Sequence, residues 1–235
     1  MTSEKRNSGS IISYPCVLKQ GHDPSIMSQA FIMERHPNIF APILAKGLDR
    51  GLYFYTTPLM EHWAIATEFV AQTTLQRLEL YWGMGVPSVS KDRLKYFEYV
   101  SKLDIPTWLL DAVKNYYEKT KSIAGRSAIH IHGDATVENT VHNGNLSGYW
   151  IDPNPRPVPK EIEVDLGKLW QSWYGYHPLN KVWEKVLEEF LASHQDTILL
   201  QMFYLLTHIA RLWNYQPQKH EWAKEVTDAV VASCV

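Results

Sequence analysis

The sequence predicts an α+β chain in two parts: a small strand-rich lobe over residues 1–61 and a larger helical lobe over residues 62–235. Three observations carry this. Up to Met60, β-branched and aromatic runs bounded by turn residues surround a single helical stretch. After Glu61, apolar residues recur at helical spacing almost to the end. One stretch, residues 128–152, interrupts the helices with a strand, a loop and a hairpin. At 235 residues and 45% hydrophobic content, the chain suits one large domain or two closely joined lobes.

Residues 11–19, "IISYPCVLK", read as a strand that Pro15 breaks or bends. Asp23 and Pro24 open a helix over residues 23–36, as N-cap and first helical residue, with Ile26, Ala30, Phe31 and Met33 on its apolar face. Residues 38–47 and 51–60 read as two strands joined by a tight turn at Leu48–Arg50. Helices are expected over residues 62–82, 90–103 and 106–123, and again over 161–174, 180–194, 196–214 and 218–233, with Asp196 available to cap the third of the latter group. Asn143-Gly144 marks the turn of the inset hairpin. The lobe boundary falls near Met60–Trp63.

Composition excludes several classes. Net charge is −2, and no basic stretch carries interleaved aromatics, so nucleic acid is not the expected partner. The polar opening "MTSEKRNSGS" lacks the apolar core of a secretory signal. The most apolar run, residues 197–213, is interrupted by Gln201, His208 and Arg211 and is too short and polar for a membrane span. Cys16 and Cys234 make neither a disulfide framework nor a cysteine zinc site. A protein of a reducing, cytoplasmic compartment is expected.

The stretch "AIHIHGDATVENTV", residues 128–141, is the candidate for chemistry. His130 and His132 on a strand would face the same way, as a metal-binding pair does. No ligand-like cluster of further histidines follows, because nearly everything downstream is helix. Phosphoryl transfer uses different residues. It needs an acceptor hydroxyl held in line, a carboxylate near its proton, and hard divalent ions on the phosphates. An Asn and an Asp on opposite arms of a hairpin can supply an amide and a carboxylate oxygen, and an Asp before the hairpin can face the acceptor. Asp134, Asn139 and Asp152 come in that order: base, metal, metal.

"HGDATVEN" (132–139) resembles the catalytic loop H-G-D-x-x-x-x-N of aminoglycoside phosphotransferases and choline-kinase-like enzymes. "IDP" (151–153) resembles their metal-binding Asp motif, and "EVDLGKLWQS" (163–172) their D-L-A-K-L helix start. More weakly, "CVLK" (16–19) resembles the small-lobe strand whose Lys holds nucleotide phosphates, "QAFIMERHPNIFAPIL" (29–44) the following helix, and "YFYTTPLMEH" (53–62) the strand and hinge that grip adenine. Together these span residues 14–175.

The resemblance implies a two-lobed protein-kinase-like fold with a reduced amino-terminal lobe. It implies ATP and Mg²⁺ as cofactors and a small molecule bearing a hydroxyl as acceptor. Asp134 is then the catalytic residue. Lys19, held by Glu34, and the hinge Pro58, Leu59, Met60 and Glu61 bind the nucleotide. Asn139 and Asp152 bind Mg²⁺, and His132 and Asp165 brace the loop. "NSGS" (7–10), with Gly9, stands where the family has its phosphate-covering loop. A small protein kinase and a non-catalytic kinase-like binding protein are the other readings. The short connection from Asp152 to Asp165 leaves no room for a long peptide-binding segment.

Overall fold

The structure, a computed structural model, describes residues 4–5, 10–13, 16–83, 85–144, 146–156 and 158–233. The expectations for Gly9, Pro15 and Cys234 lie outside the described residues. In chain order the elements are β1 (Glu4–Lys5), β2 (Ser10–Ser13), β3 (Cys16–Gly21), α1 (Ser25–Arg35), β4 (Ala45–Asp49), β5 (Leu52–Pro58) and β6 (Glu61–His62). There follow α2 (Glu68–Trp82), β7 (Pro87–Ser88), α3 (Lys91–Val100), α4 (Thr107–Thr120) and β8 (Gly125–Arg126). Last come β9 (Thr140–Asn143), β10 (Ser147–Trp150), α5 (Ile162–Trp173), α6 (Lys181–Ala192), α7 (Ile198–Leu212) and α8 (His220–Ala232).

Packing divides the chain into two compact units. The first comprises Met1–Tyr81 with Glu138–Pro157, and the second Trp82–Val137 with Val158–Val235. This partition differs from a cut near residue 61, because α2 and the β9–β10 hairpin are packed together. A Cβ on Gly148 would lie 1.7 Å from Thr74 Oγ1, so only glycine lets the hairpin meet α2 this closely. The Trp150 indole, fully buried, donates to Thr74 O at 2.9 Å.

The first unit is built on an antiparallel sheet of order β1-β2-β3-β5-β4. Residues 11–19 are therefore broken, as one of the two expected readings has it, into parts of two paired strands, with Ile12 opposite Val17. Arg50 and Gly51 both have positive φ, 49° and 81°, and make a tight two-residue turn from β4 to β5. Residues 38–44 form only an isolated bridge at Phe40, shorter than the expected strand. Asp23 Oδ1 accepts from Ser25 N at 2.8 Å and starts α1 as expected. Ile26, Ala30 and Met33 are buried, but Phe31 is exposed, its ring carrying the Lys46 ammonium 3.9 Å away.

The second unit is helical around α7. That helix is buried from Leu200 to Ala210, with α3, α4, α5 and α8 packed on it, which explains why its sequence is apolar almost all round. Among the described residues no helix is long and apolar enough to cross a membrane. A Cβ on Gly167 would meet Leu205 N at 2.8 Å, so α5 and α7 touch backbone to backbone. Asp196 does not cap α7; it is exposed, with Arg126 Nη2 3.7 Å away. Residues 128–136 contain no strand, so His130 and His132 are not a strand pair.

Candidate active site

The candidate residues fall in both units. In the first unit the hairpin places two of them. Trp150 pairs with Thr140, and Ile151 N then donates to Asn139 O at 2.9 Å. That bond sets Asn139 and Asp152 side by side at the open end of the hairpin, although 13 positions separate their numbers. Asp152 has φ 55°, a left-handed conformation uncommon outside glycine that Asp and Asn tolerate best. It is held there by two donors on one oxygen. Tyr55 Oη gives its proton to Asp152 Oδ1 at 2.6 Å, and Lys19 Nζ lies 2.7 Å from the same atom. Burial, and then the Asp152 charge, raise the Tyr55 phenol well above its ordinary pKa, so it stays a donor.

Sheet register explains the arrangement. Lys19 on β3 and Lys46 on β4 both pair with Tyr55 on β5, so all three side chains project from one face. The expected Lys19–Glu34 pair is not formed. Glu34 binds Lys46, and Lys19 binds Asp152. Two lysines in one cross-strand row compete for one helix glutamate, and the one on β4 takes it.

Lys19, Tyr55, Asn139 and Asp152 line a cavity of about 190 Å³ that Leu59 and Met60 also line. Pro58 also lines it. Glu61 does not; it pairs in β6 with His142, whose Nδ1 is 3.0 Å from Glu61 Oε2. The lining thus combines apolar side chains with a cation, a carboxylate and an amide. The oxygen donors of Asn139 and Asp152 suit a hard divalent cation, and the Lys19 ammonium already places positive charge on Asp152. Among the described residues, no three His, Cys, Asp or Glu side chains gather as a metal site, and His130 takes part in none.

In the second unit, one face of α5 holds the loop that contains Asp134. Asp165 Oδ2 accepts from His132 N at 2.9 Å and Oδ1 from Gly133 N at 2.7 Å. Lys168, one turn on, puts Nζ 3.0 Å from Asp134 Oδ1. Ser172, another turn on, accepts from Val137 N at 3.0 Å. Positions i, i+3 and i+7 of a helix share a face, so three anchors follow the loop in order. The fully buried His132 accepts from Asp134 N through Nδ1 at 3.3 Å, closing the turn at Gly133, whose φ is 73°.

Asp165 is fully buried, and burial raises its pKa despite the His132, Trp82 and amide contacts that pull it back. At Asp134 the balance is reversed. Burial pushes the carboxyl up, but the Lys168 ammonium, more than any other group, brings it down to about 2. Asp134 is therefore an anion at any ordinary pH.

Three of these residues were not singled out from the sequence: Tyr55, Lys168 and Ser172. Each carried a signal, Tyr55 in the period-two alternation with Thr57, and Lys168 and Ser172 in their i+3 and i+7 spacing from Asp165. Tyr174 lines a cavity of about 690 Å³ with Trp170 and Met202, while Tyr215 is exposed.

His208 on α7 is buried beneath this region. Its Nε2 meets Val164 O at 2.9 Å, and its Nδ1 is buried with no hydrogen-bond partner. Burial, with Lys168 and Arg211 adding, lowers its pKa well below 6.5. The folded protein therefore rejects a proton that the unfolded chain accepts, and stability falls as pH drops below about 6.5. Replacing His208 by Gln should flatten the pH dependence of unfolding from pH 6.5 to 5 by up to about 1.4 kcal/mol per pH unit. Urea titrations across that range check it; equal slopes in the two proteins would refute the assignment.

No protein-family model matches the chain, and no curated protein matches it in sequence. Solved structures do match in fold. Aminoglycoside phosphotransferase APH(4)-Ia is 13% identical, with a TM-score of 0.69 over 96% of this chain and 89% of its own. A thermostable mutant of APH(4)-Ia, solved as a ternary complex with AMP-PNP and hygromycin B, is 12% identical, with a TM-score of 0.67 over 95% and 88%. A protein from Haemophilus somnus 129PT described as a "Putative fructosamine-3-kinase" is 12% identical, with a TM-score of 0.62 over 99% and 90%. The α+β kinase-like fold expected from "HGDATVEN" is the fold of this chain.

Proposed function

We propose that the chain is a phosphotransferase that moves the γ-phosphoryl group of ATP, with Mg²⁺, to a hydroxyl of a small molecule. The observation that carries this reading is the hairpin. It sets Asn139 beside Asp152, with the Lys19 ammonium on Asp152, in a cavity that also meets Pro58, Leu59 and Met60. The fold likeness to small-molecule phosphotransferases supports it.

In this reading residues 1–61 are the nucleotide-binding lobe and residues 62–235 the catalytic and acceptor-binding lobe. Backbone groups of Pro58–Met60 hold the adenine, and Glu61 ends that segment by fixing β6. Lys19 turns from Asp152 to the phosphates. Asn139 and Asp152 hold Mg²⁺, which when bound neutralises phosphate charge. Asp134 orients the acceptor hydroxyl. The hydroxyl oxygen bonds to the γ-phosphorus, the bond from that phosphorus to the β,γ-bridging oxygen breaks, and ADP departs. With so low a pKa, Asp134 takes the hydroxyl proton late, when the new bond has already made it acidic. His132 and Asp165 keep the loop in shape, and Glu34 ties α1 to β4 through Lys46. The short run from Asp152 to α5 favours a small acceptor over a peptide.

The test is a melting curve with ATP and Mg²⁺ against ATP with EDTA, followed by a metabolite pool and mass spectrometry for a phosphate gain. A Tm rise that needs Mg²⁺, with a phosphorylated product, is expected. No Tm shift in a folded protein would favour a non-catalytic binding protein instead. Two variants sharpen the result. Asp152→Asn tolerates the left-handed backbone but removes the anionic ligand, so Mg²⁺–ATP affinity should fall about tenfold or more and recover partly at high Mg²⁺. Lys19→Ala should weaken nucleotide binding with no such recovery. Isothermal titration at two Mg²⁺ concentrations separates them, and identical Mg²⁺ dependence would remove the metal role of Asp152.

A further inference from the structure

We propose that Lys168 is a positioning residue for Asp134: its ammonium pins one carboxylate oxygen in a fixed place and keeps the group an anion ready to orient an acceptor hydroxyl. The proposal rests on the phosphotransferase reading for its meaning, but not for its geometry.

Four facts carry it. Lys168 Nζ lies 3.0 Å from Asp134 Oδ1 and 3.1 Å from Gln171 Oε1. Gln171 is on the same helix, one turn along, so the ammonium is itself held by α5. The Lys168 side chain is only 8% exposed and that of Asp134 is 43% exposed, so the pair is buried at its cationic end and open at its anionic end. Burying a lysine is costly, so an ion pair placed this way is weak evidence of a purely stabilising role. The same helix face also holds the His132, Gly133 and Val137 amides, so Lys168 is the one anchor in this row that grips a side chain rather than the backbone.

The groups acting electrostatically on Asp134 are Lys168 from α5, His208 and Arg211 from α7, and His132 from its own loop. Arg211 is engaged with Tyr96 Oη at 2.8 Å, and His208 is held neutral by burial. Lys168 is therefore the cation in direct contact. Without it, the Asp134 carboxyl loses the contact that most lowers its pKa, and the pKa rises toward its ordinary value.

The experiment follows the Asp134 carboxyl carbon by NMR titration in the full chain, wild type, Lys168→Met and Lys168→Arg, beside the release of ADP from Mg²⁺–ATP across pH. The wild-type carboxyl should titrate near 2, Lys168→Met should move it up toward its ordinary 3.8, and Lys168→Arg should restore most of the shift. Turnover in Lys168→Met should fall about a hundredfold, with an acid limb displaced upward and the KM for ATP little changed, because the loss is one of orientation. A wild-type midpoint at the ordinary value would overturn the proposal even if Lys168→Met failed to fold. So would a Lys168→Met midpoint equal to that of the wild type. If wild type neither cleaves ATP nor labels any acceptor, the phosphotransferase reading fails, while the carboxyl titration still decides whether Lys168 governs Asp134.

Discussion

Asp134→Asn lowers turnover by on the order of a hundred- to ten-thousand-fold while Mg²⁺–ATP binding is unchanged. The substitution keeps volume and shape, and the amide oxygen can still receive Lys168. It removes the negative charge and replaces one acceptor oxygen with a donor NH₂, so the acceptor hydroxyl loses the group that aligns it and takes its proton. Asn139 and Asp152 belong to the other compact unit and are untouched, so nucleotide affinity should hold. Steady-state rates with the identified acceptor, alongside ATP affinity by calorimetry, measure both halves. A loss of affinity matching the loss of rate would mean that Asp134 serves the nucleotide.

The second large effect concerns the fold. Arg93→Met should cost about 3–5 kcal/mol, because it strands a buried carboxylate. Arg93 and Glu161 are 2% and 1% exposed, joined through both Nε and Nη2. Arg93 Nη1 also donates to Thr120 O at 2.6 Å and to Ile123 O at 2.9 Å, and Tyr204 Oη donates to Glu161. Against a total stability of about 5–15 kcal/mol, that loss is a large fraction. Adding Glu161→Gln should recover part of it by removing the uncompensated charge. Urea unfolding followed by circular dichroism gives both numbers. A double mutant less stable than Arg93→Met alone would show that the pair is not what the arginine is there to balance.

Much of the site could be read from spacing, because spacing is local. Asp134, Asn139 and Asp152 stand at the intervals that a loop and a short hairpin impose, and Asp165 begins a helix whose amphipathic pattern is plain. What could not be read was pairing across the sheet. Lys19 and Lys46 both precede a strand partner at Tyr55, and only register shows that Glu34 meets Lys46. Glu61 looked like part of the hinge, but strand pairing turns it to His142. Residues 128–136 have strand-like composition, yet no neighbouring strand is there to pair with His132 and Gly133, and Asp165 satisfies their amides instead. Phe31 fits the apolar period of α1 but is exposed, because Lys46 covers its ring in place of a core neighbour.

The three anchors on α5 also set a clock. Surface loops rearrange in nanoseconds to microseconds when only their ends are fixed. The segment from His132 to Val137 is fixed along its length by one helix, and that helix lies backbone to backbone on α7. Its amides are released only when the loop gives up Asp165 and Ser172 together, a cooperative opening slower than the motion of a loop tied at its ends alone. The carboxylate of Asp134 is open to solvent in space and yet belongs, in time, to the interior.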